Sequence, residues 1–164
     1  MATKSMYKIF LILFLLGFYS TCFAQQEAVD LKELTTNSDA IITGKVTQQT
    51  SSWDENKTRI YTLATVRVDE YIKGSNSGNT VTIKYLGGEV GEVGELYSHM
   101  PRFEDDEEVL VFLKKDVNSA NYKVSSGESG KISLMNDPRT GELMTNSNVR
   151  VSAIKSQIKN ILAE

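Results

Sequence analysis

The stretch Arg59-Ile60-Tyr61-Thr62-Leu63-Ala64-Thr65-Val66-Arg67-Val68-Asp69-Glu70-Tyr71-Ile72 decides the fold. In an extended chain, side chains alternate between two faces. Ile60, Thr62, Ala64, Val66 and Val68 then share one face. Tyr61, Leu63, Thr65, Arg67 and Asp69 share the other. Period-two patterning with this many β-branched and aromatic residues spells one long, bent strand.

The flanking sequence supplies its neighbours. Ala40 to Gln49, with Ile41, Ile42 and Val46, reads as a strand before it, and the polar Ser51 to Lys57 as the hairpin loop between them. Thr80 to Leu86 alternates Val81, Ile83 and Tyr85 against Thr82 and Lys84, which gives a third strand. Glu108 to Leu113 is almost continuously apolar, the pattern of a strand covered on both faces. Acidic Glu104 to Glu108 and basic Lys114-Lys115 flank it like charged gatekeepers of an aggregation-prone strand. Tyr122 to Ser125, Lys131 to Met135 and Glu142 to Thr145 read as short strands, the last two joined by Asn136-Asp137-Pro138-Arg139-Thr140-Gly141.

Two helices bracket the strands. Asp30-Leu31-Lys32-Glu33 is a capping-box pattern opening a helix from Leu31 to about Thr36. Val151, Ile154, Ile158 and Ile161 fall on one helical stripe, so residues 149–163 form an amphipathic helix with Asn148 or Ser147 as its cap. Its apolar stripe is expected to pack on the sheet. Sequential antiparallel strands, one of them long and bent, fit an all-β fold built as a small antiparallel barrel rather than a parallel α/β fold.

The first 24 residues differ from the rest. Lys4 and Lys8 precede the apolar run Ile9 to Tyr19, and Cys22 and Ala24 take the small positions before a cut. That is the layout of a secretory signal, and its apolar run is short for a membrane span of about 20 residues. The mature chain would begin at Gln25, be secreted or periplasmic, and carry no membrane span. Lipidation of Cys22 is the alternative, which would anchor it. Removing 24 of 164 residues leaves 140; 18 basic residues become 16 against 21 acidic, and the net charge of -3 becomes -5. The single cysteine leaves as well, which excludes structural disulfides, thiol catalysis and cysteine-based zinc sites. An acidic domain is a poor general binder of nucleic acid or anionic membrane.

The most distinctive stretch is Gly87-Gly88-Glu89-Val90-Gly91-Glu92-Val93-Gly94-Glu95-Leu96, within a loop expected from Gly87 to Arg102. It matches neither the dinucleotide nor the P-loop glycine pattern and carries three glutamates, so nucleotide binding is rejected. It reads as a recognition loop or as a connection using glycine's backbone freedom. Trp53, Tyr97 and Arg102 are residue types enriched at binding hot spots. His99 is the sole histidine. With Glu89, Glu92, Glu95 and the 104–108 run it could hold a metal, but the spacing matches no metal signature, and a solvated loop histidine explains it better. Ser98 beside His99, and Gly127-Glu128-Ser129-Gly130, fall short of a nucleophile elbow. Asp54/Glu55 and Asp105/Asp106 are adjacent, not spaced, carboxylate pairs. Asn56-Lys57-Thr58 is a glycosylation sequon where the host modifies it. No cofactor motif is present and none is expected.

The motif order has a likeness. Ser38-Asp39-Ala40-Ile41-Ile42, Gly44-Lys45-Val46, Tyr71-Ile72-Lys73-Gly74, Gly87-Gly88, Pro101-Arg102-Phe103, Glu108-Val109-Leu110-Val111-Phe112-Leu113 and Gly130-Lys131-Ile132 resemble a group of bacterial secreted β-domains. Some members accompany matrixin-type metalloproteases. The order is more distantly similar to the netrin-like, OB-type barrel of tissue inhibitors of metalloproteases. The resemblance implies an OB-like barrel and an extracellular or envelope partner. In the bacterial group glycine is common at the position of His99, which implies that His99 is not catalytic. The inhibitors cap the protease zinc with an N-terminal cysteine, and this chain keeps none after cleavage at Ala24. The expected function is therefore a secreted or periplasmic noncatalytic binding or interaction module, with Trp53, Gly87, Gly88, Tyr97, His99 and Arg102 as its candidate contact residues. An inhibitor or accessory domain of an extracellular protease is the first alternative, and a small metal-dependent or serine hydrolase the second.

Overall fold

The computed structural model describes residues 30–75 and 77–164. The expected signal segment, with Cys22, lies outside the described residues. Helix α1 is Leu31–Asn37, capped by the Asp30 carboxylate, which accepts the Lys32 N–H at 3.0 Å. Nine strands follow: β1 Ala40–Trp53, β2 Ile60–Lys73, β3 Thr80–Leu86, β4 Gly88–Val90, β5 Val93–Glu95, β6 Glu108–Lys115, β7 Tyr122–Val124, β8 Lys131–Asn136 and β9 Leu143–Thr145. Helix α2 is Val151–Leu162. Among the described residues, no helix is long and apolar enough to cross a membrane.

Five strands close an OB-like barrel in the order β1-β2-β3-β7-β6, with β6 returning to β1. Strands β8 and β9 extend the sheet beyond β6. Every ladder is antiparallel except the closure, where β3 and β7 run parallel and meet at Ile83 and Tyr122. Short hairpin loops favour antiparallel neighbours, but β3 and β7 are joined through β6 and have no such constraint.

The long strand bends as expected, and its bulges show how. Opposite β1, the register skips Asp69 and Ile72. Each extra residue shifts the alternation by one. Val66, Val68 and Tyr71 therefore face the barrel interior, while Ile72 turns outward to the helices. Strand β6 is covered on both sides. Val109, Val111 and Leu113 fill the barrel, while Leu110 and Phe112 pack under Leu34, Val151, Ile154 and Ile158 of the two helices. Burying each of these side chains contributes about 1.5–3 kcal/mol, which is why the helices lie where they do.

Three boundaries differ from the sequence reading. Strand β1 continues through Ser51, Ser52 and Trp53, paired with Thr62, Tyr61 and Ile60. The Ser51 and Thr62 hydroxyls bond at 2.8 Å, so polar residues extend the ladder where a loop was expected. The turn proper is 54–59, tied by Asp54, which accepts from the Thr58 N–H and hydroxyl. The segment expected as a loop from Gly87 to Arg102 contains the β4–β5 hairpin. Helix α2 begins at Val151 with Arg150 as N-cap, not Asn148 or Ser147. Those two residues are spent in a tight turn, where Thr145 N–H donates to the Val149 carbonyl at 2.9 Å.

The Thr35 hydroxyl is fully buried and, among the described residues, has no hydrogen-bond partner. Such a group keeps its desolvation penalty without compensation. Thr35→Val should therefore raise stability by about 1 kcal/mol, measured by urea unfolding. Helix α2 is tied to β2 by Glu70, which accepts from Lys155 Nζ at 2.6 Å and lies 3.6 Å from Lys159 Nζ. The Lys155 hydrogen bond holds the Glu70 carboxyl below its ordinary value. A depressed carboxyl stabilises the fold above its unfolded pKa, and this is lost as pH falls through the folded value. The Tm of the wild type should thus exceed that of Glu70→Gln at neutral pH, with the two curves converging below about pH 4.

Candidate functional site

The Gly-Glu-Val echo is a hairpin. Val90 faces Val93, Glu89 faces Gly94 and Gly88 faces Glu95, leaving Gly91-Glu92 as a two-residue turn with Gly91 at φ +63. Glycine at the first turn position matches the tight hairpins that suit strand twist. Gly87 and Gly88 make the bend from β3 into this hairpin, at φ +101 and +127. A Cβ on Gly88 would strike the Ser51 and Thr62 hydroxyls, so the hairpin backbone lies directly on β1 and β2. The Thr62 hydroxyl donates to the Gly87 carbonyl at 2.6 Å, and the Gly87 N–H donates to the Ile60 carbonyl at 2.8 Å. These glycines shape the site through the backbone.

Glu95 locks the other end. Its Oε2 accepts the Ile60 N–H and the Tyr97 hydroxyl, both at 2.9 Å. That second bond holds the Tyr97 phenol above its ordinary pKa, and the Arg59 guanidinium lies 6.0 Å from the Tyr97 ring centroid. Beyond Tyr97 the chain passes Met100 and Pro101 to Phe103, which is buried against Tyr85 with ring centroids 5.6 Å apart. Lys131 Nζ fixes this return segment. It donates to the Arg102 carbonyl and pairs with Glu107 Oε1, each at 2.6 Å, and sits over the Phe103 ring at 5.3 Å. The Ser133 hydroxyl also donates to Glu107 Oε1, and the Glu104 N–H to Oε2.

Four of the six candidate residues meet. Gly87, Gly88, Tyr97 and Arg102 line one groove of about 460 Å³, floored by Tyr85, Pro101 and Phe103. Trp53 does not join them. It borders a separate groove of about 470 Å³ with Tyr61, Leu63 and Lys84. His99 borders neither: its side chain is 87% exposed, with Nδ1 3.6 Å from Glu128 Oε1. Its carbonyl does the structural work, accepting the Glu128 N–H at 2.9 Å. Gly127–Gly130 is a 3-10 turn leading into β8, so Ser129 is not at a strand-to-helix elbow. Among the described residues, no three His, Cys, Asp or Glu side chains gather around a metal position.

The structure adds Leu96 and Met100 to the first groove and Tyr61 and Lys84 to the Trp53 groove. Leu96, just after β5, is 71% exposed, and Val93, at the start of β5, 48%. Tyr61 was visible in the sequence as a large aromatic on the face that turns polar at Arg67 and Asp69. No family model and no curated protein matches the chain.

Proposed function

We propose that the chain is a secreted or periplasmic, noncatalytic module that captures an extracellular or envelope protein at the barrel end built by residues 87–102. The carrying observation is Leu96, an exposed leucine directly after Glu95 at the end of a hairpin that Gly88 seats on β1 and β2 and Glu95 ties to the Ile60 N–H. A rigid loop that presents apolar side chains loses little entropy on binding. Tyr97 and Arg102 flank the same groove and supply the aromatic and guanidinium groups typical of hot spots.

The grooves separate the candidates by experiment. Tyr97→Ala with Arg102→Ala should weaken capture from the native envelope fraction or medium by about 2 kcal/mol or more. Trp53→Ala should leave capture unchanged, because it borders the other groove. Equal loss from both variants would place the contact elsewhere.

A further inference from the structure

We propose that the outer face of β3, β7 and β6 binds an acidic polysaccharide through a row of lysines, Lys84, Lys123 and Lys114. Interior positions on these strands are Ile83, Tyr122, Val124 and Leu113. Alternation therefore turns Lys84, Lys123 and Lys114 to the outside. The register lines them up. Ile83 pairs with Tyr122 in parallel, which sets Lys84 beside Lys123, and Lys123 pairs directly with Lys114. Neighbouring strands lie about 4.8 Å apart, so the row spans roughly 10 Å.

Like charges directly opposite each other on a sheet are unfavourable. Here three stand in a row with one acid among them: Asp116 Oδ1 lies 3.3 Å from Lys123 Nζ. Among the described residues Lys84 and Lys114 have no ion-pair partner. Lys84 Nζ instead sits 4.3 Å over the Tyr61 ring, which holds it in place without neutralising it. Such a row on a domain of net negative charge is ready for an anion.

The surroundings select the kind of anion. The row separates a groove of about 440 Å³ from one of about 520 Å³. Asn118 stands in the first, and Asn37, Ser125 and Ser126 in the second, with Asp116 bordering both, while Asn121 lines the adjoining Trp53 groove together with Asp54 and Glu55. Amides and hydroxyls beside the lysines match a ligand rich in hydroxyl groups. The domain's overall negative field disfavours a polymer as densely charged as nucleic acid, with one charge per roughly 1.7 Å of duplex. A sparsely charged sugar chain meets the row locally at a smaller long-range cost.

The lysine row adjoins the protein contact proposed at the 87–102 end, since its 440 Å³ groove shares Met100 and Pro101 with that groove, but no lysine of the row lines the 87–102 groove, and the test separates the two. The purified full chain is run through native gels containing neutral dextran, dextran sulfate or polygalacturonate. Retardation by polygalacturonate and not by dextran is expected, with dextran sulfate, a polymer nearly as densely charged as nucleic acid, retarding the chain less. Raising salt should abolish the retardation. The variant K84Q/K123Q/K114Q should bind about tenfold or more weakly yet still capture the protein partner. Lys114→Gln alone should keep or raise the Tm, because it relieves a like-charge pair. No retardation by either polyanion, undiminished binding by the triple variant, or a lowered Tm for Lys114→Gln would overturn the proposal. So would equal or tighter binding of oligo-dT or polyglutamate.

Discussion

Glu107→Ala is expected to destabilise the fold by about 3–5 kcal/mol, the largest effect foreseen for a polar substitution. Glu107 and Lys131 form an ion pair whose side chains are each only 12% exposed. Removing the carboxylate leaves the ammonium over Phe103 without its counter-charge and releases the Glu104 N–H and the Ser133 hydroxyl. Replacing both members with apolar residues of similar size, as in Glu107→Leu with Lys131→Met, should recover most of the loss, because no lone charge then stays buried. The pair also ties the Arg102 carbonyl, so the single variant should lose partner capture at temperatures where the barrel is still folded. Urea unfolding of the three variants reads the first effect. A loss below about 1 kcal/mol would mean that the pair behaves as a surface salt bridge.

Gly88→Ala is expected to destabilise the fold by about 3 kcal/mol. The residue sits at φ +127, open in practice to glycine alone, and the added carbon would collide with the Ser51 and Thr62 hydroxyls. Backbone strain and overpacking each cost about 1–3 kcal/mol. Gly91→Ala is the internal control. It shares a positive φ, +63, but has open space around it, so it should cost only about 1 kcal/mol. Equal costs for the two would show that the hairpin does not rest on β1 and β2 as described.

What could be read in advance was local. Alternation from Ile60 to Val68 and the apolar run of β6 both report which faces are buried, and the barrel buries those faces. The β4–β5 hairpin is half legible: Gly91-Glu92 between Val90 and Val93 fits a two-residue turn, but the repeated glycines fit a loop equally well. What stayed hidden is non-local. In the linear chain Glu104 to Glu108 is a run of equivalent acids; only the approach of β8, bringing Lys131 and Ser133, makes Glu107 a buried anchor. The parallel closure of β3 on β7, and with it the alignment of Lys84 beside Lys123 and Lys114, likewise exists only once the barrel closes. Trp53 and Tyr97 look alike as loop aromatics, and only the fold puts them on different grooves.

Contact at the barrel end is read most directly by a photo-crosslinking amino acid placed at Leu96, compared with one at Thr140 in the exposed β8–β9 turn. Exposed to the native envelope fraction or culture medium, the Leu96 probe should yield a discrete protein adduct that Tyr97→Ala with Arg102→Ala abolishes, and the Thr140 probe none. An adduct at Thr140 alone, the same adduct at both positions, or none at either would contradict partner capture through residues 87–102.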